Sequence, residues 1–167
     1  MFLKRQFYIL HFAFFILISG CYSFTGASLP TGIKSIAIPL SADNSGFGKA
    51  EMRQQLTDQL VQKFTRDGSL QVRDRGIADA LLEVTIMSIT DLPIGVGSSD
   101  QLTNKRVTIT VEAIYRDQKK QKTFWDKSFQ QTADYPISQN LDGLNTALKN
   151  AEDKLSNDLL LGVISNW

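Results

Sequence analysis

Apolar and polar residues follow two different periods along this chain, and the switches between them mark out the elements. In residues 33–40, Ile36 and Ile38 alternate with small side chains, which predicts a first strand. Pro39 cannot donate a ladder hydrogen bond, so it marks an edge or a strand end. Residues 41–48 read as a loop. Across 49–66 the period lengthens. Met52, Leu56, Leu60 (with Val61) and Phe64 recur at steps of about four, the apolar stripe of a helix that Asp67-Gly68 stops. Leu70 and Val72 mark a short second strand, and 74–79 a connector.

Alternation then returns. In residues 80–90, Leu82, Val84 and Ile86 take one face, with Leu81, Met87 and Ile89 largely on the other. A Gly- and Ser-rich loop is expected over 91–104. Its length is unusual for a hairpin connection, which makes 92–104 a candidate partner contact. Residues 105–116 form the clearest strand. Val107, Ile109, Val111, Ala113 and Tyr115 face one way, and Thr108, Thr110, Glu112 and Arg116 the other. A polar turn over 117–122 leads to a fifth strand over 123–132, and Tyr135-Pro136 should break the sheet. A long helix follows over 138–164, with Leu141, Leu144, Leu148, Ala151, Leu155, Leu159 and Val163 as its stripe. The order predicts an α+β domain: a mostly antiparallel or mixed sheet of four to five strands with two helices packed on one face. The other face mixes Thr, Glu, Arg and Lys and should meet solvent or a partner.

The first twenty residues have a different logic. Lys4 and Arg5 precede an apolar run of twelve residues, Phe7 to Ile18. That run is too short to span a bilayer, which takes about 20 residues, but it suits the core of an export signal. Ile18-Ser19-Gly20-Cys21 follows directly: an apolar residue, two small ones and a cysteine, the pattern cut by the lipoprotein signal peptidase. The expected organisation is a signal peptide over 1–20, a lipidated tether over 21–32 and a single domain over 33–167. Acyl chains on Cys21 would anchor the protein, since each buried methylene contributes about 0.8 kcal/mol. Tyr22 stands where many inner-membrane lipoproteins carry Asp, so the outer membrane is the expected destination.

Composition narrows the chemistry. The leader holds two of the 18 basic residues and none of the 17 acidic ones, leaving the mature chain near neutrality. No broad positive field points to nucleic acid. The only histidine, His11, lies in the leader, and Cys21 is the only cysteine. A mature chain without His or free thiol lacks the groups for His- or Cys-ligated metals, Cys nucleophiles and Ser-His-Asp catalysis. No cofactor, no metal site and no enzymatic activity are expected.

Few motifs add to this. Gly46-Phe47-Gly48-Lys49 lies between a strand and a helix, but a phosphate loop needs glycine where the chain has Asp43 and a hydroxyl where it has Ala50. Gly95-Val96-Gly97 reads as backbone freedom within a loop. Six basic residues, Arg106, Arg116, Lys119, Lys120, Lys122 and Lys127, fall on two neighbouring strands and their turn. Strand pairing would gather them into an anion patch for a phosphorylated lipid, although Glu112, Asp117 and Asp126 dilute it. The plainer reading is a solvated face.

Several segments resemble a known family. Residues 20–30 (GCYSFTGASLP), Ile33-Lys34-Ser35-Ile36-Ala37-Ile38-Pro39 and Arg106-Val107-Thr108-Ile109-Thr110-Val111 resemble the LPS-assembly lipoproteins of LptE type, especially the Bacteroidetes and Chlorobi branch. So do Phe124-Trp125-Asp126-Lys127-Ser128-Phe129 and Ala133-Asp134-Tyr135. The resemblance implies a non-enzymatic plug within the LPS-translocon β-barrel (LptD type), which assists barrel folding and delivers lipopolysaccharide to the outer leaflet. It implies LPS-binding basic residues on the sheet, for which the six above are candidates by type and place. The alternative is a periplasmic lipoprotein unrelated to LPS, either an activator of a peptidoglycan synthase or a secretion-channel subunit.

Overall fold

A computed structural model describes residues 29–95 and 103–165. The leader, Cys21 and residues 96–102 of the long loop lie outside the described residues. Strand β1 (Ser35–Ala37) is followed by β2 (Ala42–Asp43), α1 (Glu51–Asp67), β3 (Gln71–Val72), β4 (Ala80–Ile94), β5 (Asn104–Asp117) and β6 (Lys122–Pro136). A 3₁₀ turn (Ile137–Gln139) then leads into α2 (Asn140–Ile164). The sheet runs β3-β1-β4-β5-β6, with β2 also alongside β4. It is mixed, because β1 and β2 lie parallel to β4 while β4, β5 and β6 form an antiparallel meander. Pro39 falls in the gap between β1 and β2, where the missing N–H interrupts pairing.

The expected α+β architecture is present, and its core follows the sequence pattern. Val107, Ile109, Val111, Ala113 and Tyr115 are buried against Met52, Leu56, Leu60 and Phe64 of α1 and Leu148, Ala151, Leu155, Leu159 and Val163 of α2. Left-handed Gly68 closes α1, its N–H donating to the Phe64 carbonyl.

Four details differ from the sequence expectation. First, β4 runs on to Ile94 and β5 begins at Asn104, so the loop is shorter than 91–104. Pro93 is tolerated because, among the described residues, β5 alone pairs with β4 at that end. Second, a bulge between Ile86 and Ser88 returns Ile89 to the core and leaves Met87 exposed, the reverse of strict alternation for Ile89. Third, Tyr135-Pro136 does not break the sheet. Pro136 ends the edge strand β6 opposite Asn104, a place where a lost donor costs little. Fourth, Leu141 is 69% exposed instead of joining the α2 stripe. Gly143 takes the position against the sheet, where an added Cβ would lie 2.6 Å from Tyr135 Cδ2.

Candidate functional site

The face of the meander turned away from the helices is built by alternation. Residues directly paired across antiparallel strands share a face, so each register triplet makes one row. Leu92, Arg106 and Asp134 form a row, then Thr90, Thr108 and Thr132, then Ser88, Thr110 and Gln130, then Thr85, Glu112 and Ser128. Apart from Glu112, the middle of the face is therefore hydroxyl and amide, with Gln130 Nε2 donating to Thr110 Oγ1 at 3.3 Å. Charge collects at the two ends.

At the loop end, Arg106 grips Asp134 through two hydrogen bonds, Nε to Oδ1 at 2.6 Å and an Nη to Oδ2 at 2.8 Å. Each partner stabilises the other's charge: the Asp134 carboxyl is held below its ordinary range and the Arg106 guanidinium is raised. On the helix side of the same end, Lys105 Nζ pairs with Asp91 at 2.9 Å and the Tyr135 hydroxyl donates to the same carboxylate. Burial first, then the Asp91 carboxylate, push the Tyr135 phenol above its usual range.

At the opposite end, Asp79 organises the β5–β6 turn. Its Oδ2 accepts from the backbone N–H of Lys34 and Ser35 at 3.1 Å and from Ser35 Oγ at 2.8 Å. Lys119 Nζ meets Oδ1 at 2.5 Å. Lys119, with Ser35 and the Lys34 N–H behind it, holds this carboxyl far below the ordinary range. Asp117 Oδ1 accepts from the N–H groups of Lys119 and Lys120, both at 2.9 Å, and Gln118 Nε2 donates to the Arg75 and Ala78 carbonyls. The same end receives the chain from its N-terminal side, since residues 29–34 lead into β1 beside Asp79.

The six basic candidates are thus not one patch. Arg116, Lys119, Lys120 and Lys122 share the turn end. Arg106 lies ten residues up β5, roughly 30 Å away at about 3.4 Å per residue. Lys127 pairs in register with core-facing Ala113, which puts it on the helix side, its ammonium 5.8 Å from the Trp125 ring centre. Arg116 is bound to Glu83 at 2.9 Å, Arg106 to Asp134 and Lys119 to Asp79. Sequence reasoning missed Asp79, Glu83, Asp91 and Asp134 as partners because each is separated from its cation by at least 14 residues. Only the register exposes them. Among the described residues, no group of three His, Cys, Asp or Glu could hold a metal ion, and no helix is long and apolar enough to cross a membrane.

Comparisons with known proteins agree with this architecture. Residues 33–161 match the sequence profile of LptE, the lipopolysaccharide-assembly family. A Xanthomonas campestris protein superposes with a TM-score of 0.58 at 14% identity, over 84% of this chain and 91% of that one. The PelC dodecamer subunit from Paraburkholderia phytofirmans gives 0.54 at 14% identity, covering 83% and 94%. Rare lipoprotein B from Shewanella oneidensis gives 0.52 at 10% identity, covering 77% and 92%. At these identities the likeness is one of fold. No curated protein sequence matches the chain.

Proposed function

Because the chain belongs to the LptE family of lipopolysaccharide-assembly proteins, we propose that it is a non-enzymatic plug for the outer-membrane LPS-translocon barrel (LptD type). In this reading the signal over 1–20 is removed and Cys21 carries the acyl anchor. Residues 21–32 tether the domain over 33–167 to the outer membrane. The domain occupies the barrel lumen, supports its folding and aids insertion of lipopolysaccharide into the outer leaflet.

The family match over 33–161 carries the proposal. The open sheet face supports it. A barrel lumen is polar, and a face of paired Thr, Ser and Gln side chains, with Arg106 held by Asp134 and Arg116 by Glu83, suits such a wall, where exposed Glu112 and Asp126 can stay hydrated. The tether fits as well. Leu29 lies eight residue steps after Cys21, a reach of up to about 27 Å when extended. The chain enters beside the β5–β6 turn, so that end, with Lys120 and Lys122 exposed, lies nearest the anchored leaflet.

Affinity purification of the acylated protein from outer membranes tests the reading. The expected result is recovery of a large β-barrel, with mass spectrometry showing a lipidated Cys21 as first residue. Absence of any barrel would overturn the plug. Depletion should remove surface LPS and raise detergent sensitivity; wall defects or blocked secretion with LPS intact would instead favour a synthase activator or a secretion-channel subunit. For the basic candidates, Lys120→Glu with Lys122→Glu should weaken LPS binding more than Arg106→Glu or Lys127→Glu, since Arg106 is already engaged by Asp134 and Lys127 lies on the other face. Equal binding by all variants would remove these residues from the site.

A further inference from the structure

On the helix side of the sheet, α1 and α2 diverge around an open cleft of about 670 Å³. From Glu51 to Gln62 it follows one face of α1 for about three turns, roughly 16 Å. At its floor Gln59 of α1 donates from Nε2 to Glu152 Oε2 of α2 at 3.3 Å. Glu152 is only 1% exposed. Gln59 Oε1 and Glu152 Oε1, one oxygen from each helix, are buried and accept no hydrogen bond in the structure. Both are acceptors. Buried acceptors without donors are rare in folded proteins and call for a donor.

The walls point to the donor's charge. From α1, Glu51 and Asp58 line the cleft, joined by Lys49 just before the helix; from α2, Lys149 does. Lys49 is held by Asn145 at 2.5 Å, while Asp153 just beyond is taken by Lys63 at 2.8 Å. With Glu152 ionised, three carboxylates line the cleft against two lysines, and the Lys49 ammonium is turned to the neutral Asn145 amide, so the lining keeps a net charge of minus one.

We propose that this cleft receives a basic side chain, an ammonium or guanidinium on a protein partner, whose N–H groups reach Gln59 Oε1 and Glu152 Oε1. The elongated, open shape suits a side chain presented from a partner surface. The binding stands apart from the lipopolysaccharide reading and holds or fails without it. No bond is made or broken beyond a proton, which Glu152 releases to solvent when the cation arrives. Burial raises this carboxyl to about 7, so the cation must displace the proton below that pH and meets a ready anion above it.

The test uses the full mature protein in detergent, with N-acetyl-arginine amide and N-acetyl-lysine amide as probes and N-acetyl-citrulline amide as the uncharged isostere. NMR signals of the Gln59 side-chain amide and the Glu152 carboxyl carbon report binding. A saturable shift with a cationic probe, absent with the citrulline compound, is expected. Affinity should rise about tenfold from pH 6 to pH 8, following the ionised fraction of a group titrating near 7. Glu152→Gln, which keeps an amide on Gln59, should abolish it while circular dichroism stays unchanged. Three results would overturn the proposal: no saturable shift, an equal response to the citrulline compound, or undiminished binding in the variant. If Glu152 titrates near 7 and no probe moves it, the seam is a closed acid–amide pair, with protonated Glu152 donating to Gln59, and not a receptor.

Discussion

Replacing Glu152 by Gln should stabilise the domain at alkaline pH and barely change it at acid pH. Glu152 sits in the α1–α2 seam with Gln59 as its hydrogen-bond partner, and burial lifts its carboxyl from the ordinary 4.5 to about 7. The folded state therefore binds this proton more tightly than the unfolded chain does. Stability from this group is complete below about pH 4.5, where both states are protonated, and is lost as pH rises towards 7. At about 1.4 kcal/mol per tenfold change in proton affinity, the loss is on the order of 3 kcal/mol, a sizeable share of a typical domain stability of about 5–15 kcal/mol. Glutamine keeps the shape and the amide contact but has no charge to bury. Equilibrium unfolding in urea at pH 4.5 and pH 8 measures the effect; guanidinium is unsuitable because it would itself enter the cleft. The variant should match wild type at pH 4.5 and exceed it by up to about 3 kcal/mol at pH 8. A difference that is the same at both pH values would refute the reasoning, because titration of Glu152 would then contribute nothing.

Other substitutions probe the packing and the turn. Leu155→Ala, at a position with 0% exposure in the centre of the α2 stripe, should cost about 2–5 kcal/mol in urea unfolding. Gly143→Ala would set a Cβ 2.6 Å from Tyr135 Cδ2 and 2.7 Å from Gln139 Cβ. It should cost about 1–3 kcal/mol by overpacking, and Tyr135→Ala in the same chain should relieve part of that cost. Asp79→Asn should lower the thermal midpoint at neutral pH, because Lys119 loses its carboxylate partner. The stability that a lowered carboxyl supplies is present above its ordinary value of 3.8 and is lost as pH falls below it. The gap between wild type and variant should therefore narrow in acid, as thermal melts near pH 2 and pH 7 would show.

The elements most visible in the sequence are those whose pattern answers to a single buried face. Strand β5 alternates over its whole length because only one side meets the helices, so its five core residues could be read directly. Met52, Leu56, Leu60 and Phe64 were visible for the same reason at a longer period. Ile89 was misplaced because a bulge adds one residue to the count, and nothing in the residue types announces it. The candidate site was less legible. Its basic residues could be found by type, but their faces and partners depend on register. Lys127 shares a face with Ala113, and that follows from a pairing fixed by the β5–β6 turn and the irregularity at Tyr115–Arg116. Nothing in the residue types marks Glu152 as buried. Its burial depends on how α1 crosses α2, a relation between segments about ninety residues apart.

Strand β6 decides which surfaces remain open to partners. It spans Lys122–Pro136 and, among the described residues, pairs with β5 alone, so its outer edge could in principle template another strand. Long unpaired edges invite uncontrolled association, and proteins suppress it with charges, proline and covering side chains. All three are present here. Asp126, Lys127 and Asp134 interrupt the strand, Pro136 ends it, and Lys154 reaches from α2 to donate to the Thr132 carbonyl at 3.1 Å. Gln131 is tied to Asp158 of α2 at 2.5 Å. An edge guarded in this way is poorly suited to strand addition. The surfaces left for side-chain contacts are the open sheet face, the cleft between the helices and the β5–β6 turn with exposed Lys120 and Lys122.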